Sequence, residues 1–429
     1  LATSWACPEE GQIGKTGKIV IMSKIGYNNS SSLKGDDFVK FFNTEGPIIP
    51  EDHYHVPINS RIDKGEILSL IHRKKYFVLH APRQSGKTTS LLTLMKLLNE
   101  SGKYKCLYVN VEGAQAAREN VEKAMRTIIS ELEKREKIYL KENIISKLKQ
   151  KSLEEDEFAA LSNILTYWTL ESDLPTVLLV DEIDSLIGDT LVSVLRQLRS
   201  SYDTRPDSFP QSIILCGVRD IRDYRIHSSK HKEIITGGSC FNVKAKSIRL
   251  GNFTEKDVRT LYLQHTEETG QEFTEEAMKQ AYDLTKGQPW LVNALAYEAC
   301  FEMPEGKDRN NPITVDLINK AKENIILSRA THLDQLVDKL KEERVQNIIE
   351  PMLNGEDIGE LPHDDILYAI DLGLIKRTSD GLKVSNKIYS EIILRELTVV
   401  TFLPINREYE EELYEHYNKS NYWEERENY

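Results

Sequence analysis

The sequence predicts an α/β fold in which helices cover both faces of a five-stranded parallel sheet. A run of β-forming residues, Tyr76–His80, leads into a loop of small and polar residues and then into a helix with apolar residues every three to four positions. A second run, Thr176–Val180, is apolar and rich in β-branched residues, as parallel strands buried on both faces are. Three further short runs (106–111, 212–218 and 247–250) complete five strands, with one strand between the first loop and the run that ends at residue 180.

Composition limits the classes of function. The 429 residues are 40% hydrophobic and 29% charged, which is typical of a soluble protein of two to four domains. The net charge of −12 argues against a general polyanion binder. The five cysteines are scattered and odd in number, which indicates free thiols in a reducing cytoplasm. No apolar run is long enough to span a bilayer and no export signal is visible, so we expect a cytoplasmic protein without membrane contact.

The loop after the first strand has the composition of a phosphate-binding loop. Its backbone N–H groups, opening onto a helix N-terminus, would surround a polyphosphate. Gly86 permits close approach of the backbone, Lys87 supplies charge to the β- and γ-phosphates, and the Thr88 hydroxyl is a candidate magnesium ligand. Ala81 replaces the usual first glycine of the pattern, and its small side chain makes this a tolerated variant. The predicted nucleotide-binding residues of this region are Ala81, Pro82, Arg83, Gln84, Ser85, Gly86, Lys87, Thr88 and Thr89.

Carboxylates follow the apolar strand at residue 180. Asp181 and Glu182 lie at the carboxyl end of a parallel strand, where ligands bind in open α/β sheets. Asp181 is predicted to hold magnesium together with Thr88, and Glu182 to orient or deprotonate the attacking water. An Asp-Glu pair after a strand can also be a helix cap, but its distance of about 90 residues from the phosphate loop favours catalysis.

An arginine ends the next strand. Arg219 follows the run 212–218, at the edge of the sheet expected to face the nucleotide, and is a candidate sensor of the γ-phosphate. The alternative is a structural ion pair with Asp220 or Asp223, and the sequence leaves both interpretations open.

Helical patterns dominate beyond residue 250. We divide the chain into a poorly ordered segment (1–40), a nucleotide-binding domain (41–250), a helical lid (251–312), a C-terminal domain (313–400) and a tail (401–429). Residues 301–312, with two prolines, are expected to be a linker. A helix at 364–372 and two short strands joined through Asp380-Gly381 predict a helix-plus-hairpin unit, a winged helix.

These motifs together resemble AAA-like ATPases of the STAND and archaeal-ATPase type. The resemblance rests on the phosphate loop, the Asp181-Glu182 strand end, the Arg219-Asp220 strand end, Gly287-Gln288-Pro289 and the winged helix. It covers residues 41–400 and implies an ASCE-type P-loop NTPase domain, a helical lid and a winged helix that close over ATP or ADP with Mg²⁺. It also implies that Pro289 lies near the adenine, and loosely that the segment from Tyr54 to Arg61 does so too. Related chains often continue into a nuclease-like domain, of which the tail carries no carboxylate-rich motif.

Three functions compete at this point. The first is a switch in which ATP binding and slow hydrolysis move the winged helix. The second is a DNA-binding ATPase like archaeal replication initiators, favoured by Lys376, Arg377 and Lys383 but weakened by the overall charge. The third is a scaffold that binds nucleotide without hydrolysis, which the intact Lys87 and acidic pair argue against. An unidentified protein partner and a homo-oligomer both fit the first function. The sequence leaves open whether a neighbour supplies an arginine finger, for which the candidates are Arg196, Arg199, Arg222 and Arg225.

Overall fold

A computed structural model describes residues 39–220, 225–227, 234–236, 241–328, 331–354, 362–379 and 381–401. Its central feature is a five-stranded sheet in the order β2-β3-β4-β1-β7, in which every neighbouring pair is parallel. The strands are β1 (Tyr76–His80), β2 (Lys105–Asn110), β3 (Thr176–Asp181), β4 (Ser212–Gly217) and β7 (Lys244–Arg249). The predicted five-stranded parallel sheet is therefore confirmed.

The sheet differs from the prediction in detail. The strand that separates β1 from β3 in space is β4, whereas β2, which lies between them in the chain, forms one edge. β7 begins three residues earlier than the predicted strand. The first half of its sequence (KAKSIR) contains two lysines and therefore lacks the apolar run from which a buried strand is predicted. An additional antiparallel pair, β5 (Arg225–His227) and β6 (Ile234–Thr236), was not predicted.

Helices cover both faces of the sheet. They are α1 (Lys64–His72), α2 (Lys87–Glu100), α3 (Val121–Arg135), α4 (Ile144–Glu155), α5 (Ala160–Leu170) and α6 (Gly188–Ser200). Alternate residues of β1 face opposite layers: Tyr76 and Val78 belong to the core that includes residues of α3, α5 and α6, whereas Phe77 and Leu79 belong to the core with α1 and α2. Burial on both faces explains why β1 and β3 are continuous apolar runs.

The region after residue 250 is helical, as predicted. Its first part contains α7 (Glu255–Thr269), α8 (Glu275–Thr285), α9 (Pro289–Tyr297), α10 (Pro304–Lys307) and α11 (Val315–Leu327). Thr254 and Thr274 cap α7 and α8, and Thr254 forms a capping box with Asp257. Pro289 is the first residue of α9, where its missing N–H costs no hydrogen bond.

Residues 301–312 do not form an extended linker. The Gln271 amide donates to the carbonyls of Gly306, Asp308 and Asn311, and Gly306 packs so closely on the Ala299 carbonyl that a Cβ would lie 1.6 Å from its oxygen. The segment whose polar composition suggested a linker is instead held by hydrogen bonds between its backbone and the Gln271 side chain.

The last part of the described chain contains α12 (Thr331–Leu340), α13 (Glu343–Asn354), α14 (His363–Asp371), β8 (Ile375–Thr378), β9 (Gly381–Val384) and α15 (Lys387–Thr401). β8 and β9 form the predicted hairpin, whose residue Asp380 lies outside the described residues. One apolar core extends from Phe42 through α7–α9 to α15, across the predicted boundary at residue 312. The division into lid and C-terminal domain stays a prediction. The predicted terminal segments, 1–40 and 401–429, lie almost wholly outside the described residues.

Candidate nucleotide-binding site

The phosphate loop joins β1 to α2, and two residues give it its turn. Gln84 (φ +54°) and Gly86 (φ +79°) have left-handed backbone conformations, and Gly86 is the N-cap of α2. This conformation is routine for glycine but uncommon for glutamine. The Arg61 guanidinium donates to the Ser85 carbonyl (2.6 Å) and to that of Gly251 (2.6 Å), so it ties the loop to the segment after β7.

Lys87 is buried at the start of α2. Its Nζ donates to the carbonyls of Ala81 and Pro82, each at 3.1 Å. These bonds hold the ammonium group inside the loop, where a polyphosphate cradled by the loop N–H groups would need its charge compensated. Lys87 therefore lies at the phosphate loop, and its contact with the β- and γ-phosphates stays a prediction.

The two predicted magnesium ligands lie together. The Thr88 hydroxyl donates to Asp181 Oδ2 (2.7 Å), and the fully buried Asp181 also accepts from the Tyr108 hydroxyl (3.0 Å). The pair offers one hydroxyl and one carboxylate oxygen, the hard donors that Mg²⁺ prefers, so the residues present fit this ion. Tyr108 was not singled out from the sequence, although β2 and β3 pair in register and place it beside Leu179.

Glu182 directly follows β3 in a left-handed conformation (φ +56°). Its N–H donates to Asp181 Oδ1 (3.0 Å), a bond that helps hold this uncommon backbone geometry. Burial raises the pKa of Glu182, and the nearby Lys87 ammonium opposes that shift. A carboxylate with a raised pKa near a cationic phosphate site has the chemistry of a general base.

A cleft of about 1080 Å³ opens beside the phosphate loop. Gln84, Gly86 and Thr89 line one part, and the Thr89 hydroxyl accepts from the N–H of Ile48 (3.1 Å). Pro289 and Trp290 at the start of α9 line another part. The segment Tyr54–Arg61 also borders the cleft, so the structure brings together the three regions expected around a nucleotide.

Arg219 contacts the C-terminal part of the chain. Its Nε donates to Asp371 Oδ2 on α14 (2.9 Å), and its guanidinium lies 5.5 Å from the centre of the Tyr368 ring. Asp220 instead pairs with Lys244 (2.5 Å), and Asp223 lies outside the described residues. The partner of Arg219 is 152 residues away in sequence, so no local pattern could have indicated it.

The turn after α14 packs on the phosphate loop. A Cβ added to Gly373, whose φ is +80°, would lie 2.9 Å from Pro82 Cγ and 3.0 Å from Pro82 Cβ. Nearby, Arg249 at the end of β7 donates to the Ile370 carbonyl (3.2 Å). The segment Ile370–Gly373, which is the end of α14 and the two residues after it, thus contacts the phosphate loop, the end of β7 and Arg219, two residues beyond β4; we call it the docking turn.

The remaining predicted residues have varied settings. Ala81 and Ser85 are buried, Pro82 and Thr88 are half-buried, and Arg83 and Gln84 are exposed. Of the arginine-finger candidates, Arg196 and Arg199 lie on α6, Arg225 begins β5, and Arg222 lies outside the described residues. Within the described part of the chain, no group of three or more His, Cys, Asp or Glu residues could hold a metal, and no helix is long and apolar enough to cross a membrane.

The parallel sheet, with its phosphate loop after β1 and its carboxylate pair after β3, defines the P-loop NTPase class of fold. Within this class, the model of one family, the AAA-like domain, matches residues 58–394. The chain belongs to this AAA-like domain family. No curated protein matches it.

Solved structures share this fold at low sequence identity. The Walker-type ATPase of Pyrococcus abyssi is 15% identical with a TM-score of 0.56, and the match covers 82% of this chain and 99% of that one. A structure of the Aeropyrum pernix ORC2 protein, in ADPNP–ADP complexes, is 16% identical with a TM-score of 0.50 and coverages of 81% and 98%. At these identities the similarity shows the fold alone.

Proposed function

We propose that this protein is an ATP-hydrolysing switch of the STAND type, in which bound nucleotide sets the position of the C-terminal helices. α14, the β8–β9 hairpin and α15 have the element order of a winged helix, and we assign them that role. We further propose that Thr88 and Asp181 hold Mg²⁺, which would neutralise developing charge on the phosphates.

The chemistry follows from the residues around the loop. Lys87 and the loop N–H groups bind the β- and γ-phosphates and stabilise the charge that develops on them. Glu182 accepts the proton of a water molecule as the water oxygen bonds to the γ-phosphorus and the bond to the ADP oxygen breaks. The hydrogen bond from the Glu182 N–H to Asp181 Oδ1 fixes the backbone of the base next to the proposed magnesium ligand.

The observation that carries the switch is the seating of the docking turn on the phosphate loop. Gly373 contacts Pro82, and Asp371 binds Arg219, the candidate γ-phosphate sensor. A γ-phosphate that binds Arg219 competes with Asp371 for the same guanidinium. ATP then favours a released docking turn and ADP a seated one, because a ligand shifts such an equilibrium by its difference in affinity for the two states.

Phosphate release tests the enzymatic part of this proposal. The purified protein should release phosphate from ATP with magnesium, whereas Lys87→Ala should show neither turnover nor binding of a fluorescent ATP analogue. Lys134→Ala, at an exposed position on α3 that does not line the cleft, is the matched control and should resemble the wild type. Equal turnover by Lys87→Ala and wild type would refute the site. Binding without turnover in the wild type would favour the non-hydrolysing scaffold.

A DNA-binding ATPase is the second candidate, and one observation favours it. Lys376 and Lys383 are cross-strand partners on the β8–β9 hairpin, and both are exposed together with Arg377. Three cations on a hairpin can contact phosphates of a duplex, with an affinity that falls steeply as salt increases. Duplex binding that is salt-dependent and weakened by Lys376→Glu would support this function; no binding at low salt would exclude it.

A further inference from the structure

α9 contains one polar residue whose place in the helix folding alone does not explain. The sequence from Trp290 to Ala296 is otherwise apolar, and these neighbours are buried. Asn293 is itself only 6% exposed. Asparagine is a poor helix former and burial of its amide is costly, so alanine or leucine would suit folding better.

The hydrogen bonds of Asn293 leave one atom unsatisfied. Its Nδ2 donates to the Pro289 carbonyl (2.8 Å), which fixes the orientation of the amide, since a carbonyl only accepts. Its Oδ1 is a buried acceptor without a hydrogen-bond partner among the described residues. A buried acceptor without a partner destabilises the protein, and a donor on the ligand would remove that cost.

Asn293 also lines the cleft beside the phosphate loop. Its neighbours on α9 that also line the cleft include the apolar Pro289, Trp290 and Ala294, whereas Gln84, Gly86 and Thr89 line the cleft at the phosphate loop. A flat base suits the apolar part, and the phosphates suit the loop. The ligand donor nearest Asn293 is therefore expected on the base and not on the ribose.

We propose that Asn293 is a specificity-determining residue, and that its Oδ1 accepts a hydrogen bond from the exocyclic amine of adenine. Oδ1 is closed off from solvent in this structure, so the side-chain amide of Asn293 must turn slightly toward the cleft when the base binds. Hypoxanthine and guanine carry a carbonyl oxygen at the same ring position. This oxygen and Oδ1 are both acceptors, so they would face each other without a hydrogen bond. This inference rests on the proposed nucleotide-binding function and adds the choice of base to it.

Competitive titration against a fluorescent ATP analogue tests the inference, with ATP, ITP and 2′-deoxy-ATP as competitors. The wild type should bind ATP at least tenfold more tightly than ITP. Asn293→Ala should lower this ratio roughly tenfold through weaker ATP binding, with the preference for ATP over 2′-deoxy-ATP unchanged. Asn324→Ala, an exposed asparagine on α11, is the matched control and should keep the wild-type ratios.

Each other outcome has a distinct meaning. An ATP-to-ITP ratio that is the same in wild type and Asn293→Ala overturns the inference and leaves the proposed function standing. A change confined to 2′-deoxy-ATP also overturns it, because the donor would then be a ribose hydroxyl. No nucleotide binding by the wild type refutes the proposed function itself. Asn293→Leu, which is close in volume, provides the same comparison if the alanine variant does not fold.

Discussion

Gly373→Ala tests whether the docking turn acts on the phosphate loop. The added Cβ would lie 2.9 Å from Pro82 Cγ, much closer than van der Waals contact allows. Pro82 is a rigid ring within the loop and cannot swing away as a long side chain does. The turn must therefore lift from the loop or displace it.

A second glycine separates this clash from backbone strain. Gly270 has nearly the same φ (+77° against +80°), and its added Cβ would meet no atom within 4 Å. Both alanine variants pay about 1–2 kcal/mol for the left-handed conformation. Only Gly373→Ala adds an overpacking cost of about 1–3 kcal/mol, and that cost falls on the seated state alone. The ratio of seated to released turn should fall about 5- to 150-fold.

Stopped-flow release of a fluorescent ADP measures this ratio, because a seated turn restrains the loop that holds the phosphates. Gly373→Ala should release ADP roughly tenfold faster or more, whereas Gly270→Ala should release it at the wild-type rate. Urea unfolding should show a loss of stability in both. Equal ADP release by the two variants would refute a mechanical link between docking turn and loop.

Three further predictions concern the base, the ion pair and two buried histidines. Glu182→Gln should bind ATP normally but hydrolyse it about two to four orders of magnitude more slowly, measured by phosphate release. Since burial raises the pKa of Glu182, wild-type turnover should fall with decreasing pH already above pH 4.5. Turnover of Glu182→Gln at the wild-type rate would show that another group is the general base. Asp371→Asn should weaken the hold on Arg219, because it removes the charge from a bond of about 1.5–3 kcal/mol, and should raise turnover roughly tenfold or more. Asp338→Asn, at an exposed position on α12, should leave turnover unchanged, and a fall in turnover of Asp371→Asn would contradict restraint by Asp371. Burial lowers the pKa of His332 and His265 to about 4, so the unfolded state gains protons first as pH falls. The free energy of unfolding should keep its full value above pH 6.5 and decrease by up to about 3 kcal/mol per histidine toward pH 4. In urea unfolding, His332→Phe should lose less of this free energy between pH 6.5 and pH 4 than the wild type. The same loss in variant and wild type would mean that His332 is not its cause.

Local patterns predicted the elements that build the site. The run into Tyr76–His80, the Gly86-Lys87-Thr88 loop and the strand ending at Asp181 each combine a strand with a characteristic following sequence, so one window of residues contains the information. Because parallel strands align their carboxyl ends, the contact between Thr88 and Asp181 followed from topology as well.

Contacts between residues far apart in the chain could not be predicted from the sequence. Arg219 pairs with Asp371, and Gly373 contacts Pro82. The members of each pair are more than 150 residues apart in the chain, so a local sequence pattern contains no information about their contact. For residues 301–312 the local pattern was misleading. Proline and polar residues suggested a linker, whereas backbone carbonyls of this segment accept hydrogen bonds from the buried Gln271. Tertiary packing decided these cases, and a single sequence does not record it.

Hydrogen exchange of the docking turn tests the central claim most directly. Amides from Ile370 to Gly373 should exchange slowly with ADP bound and clearly faster with a non-hydrolysable ATP analogue, while those of the buried strand β3 stay equally protected in both states. The same exchange at the docking turn with either nucleotide would contradict the proposal that nucleotide controls its seating.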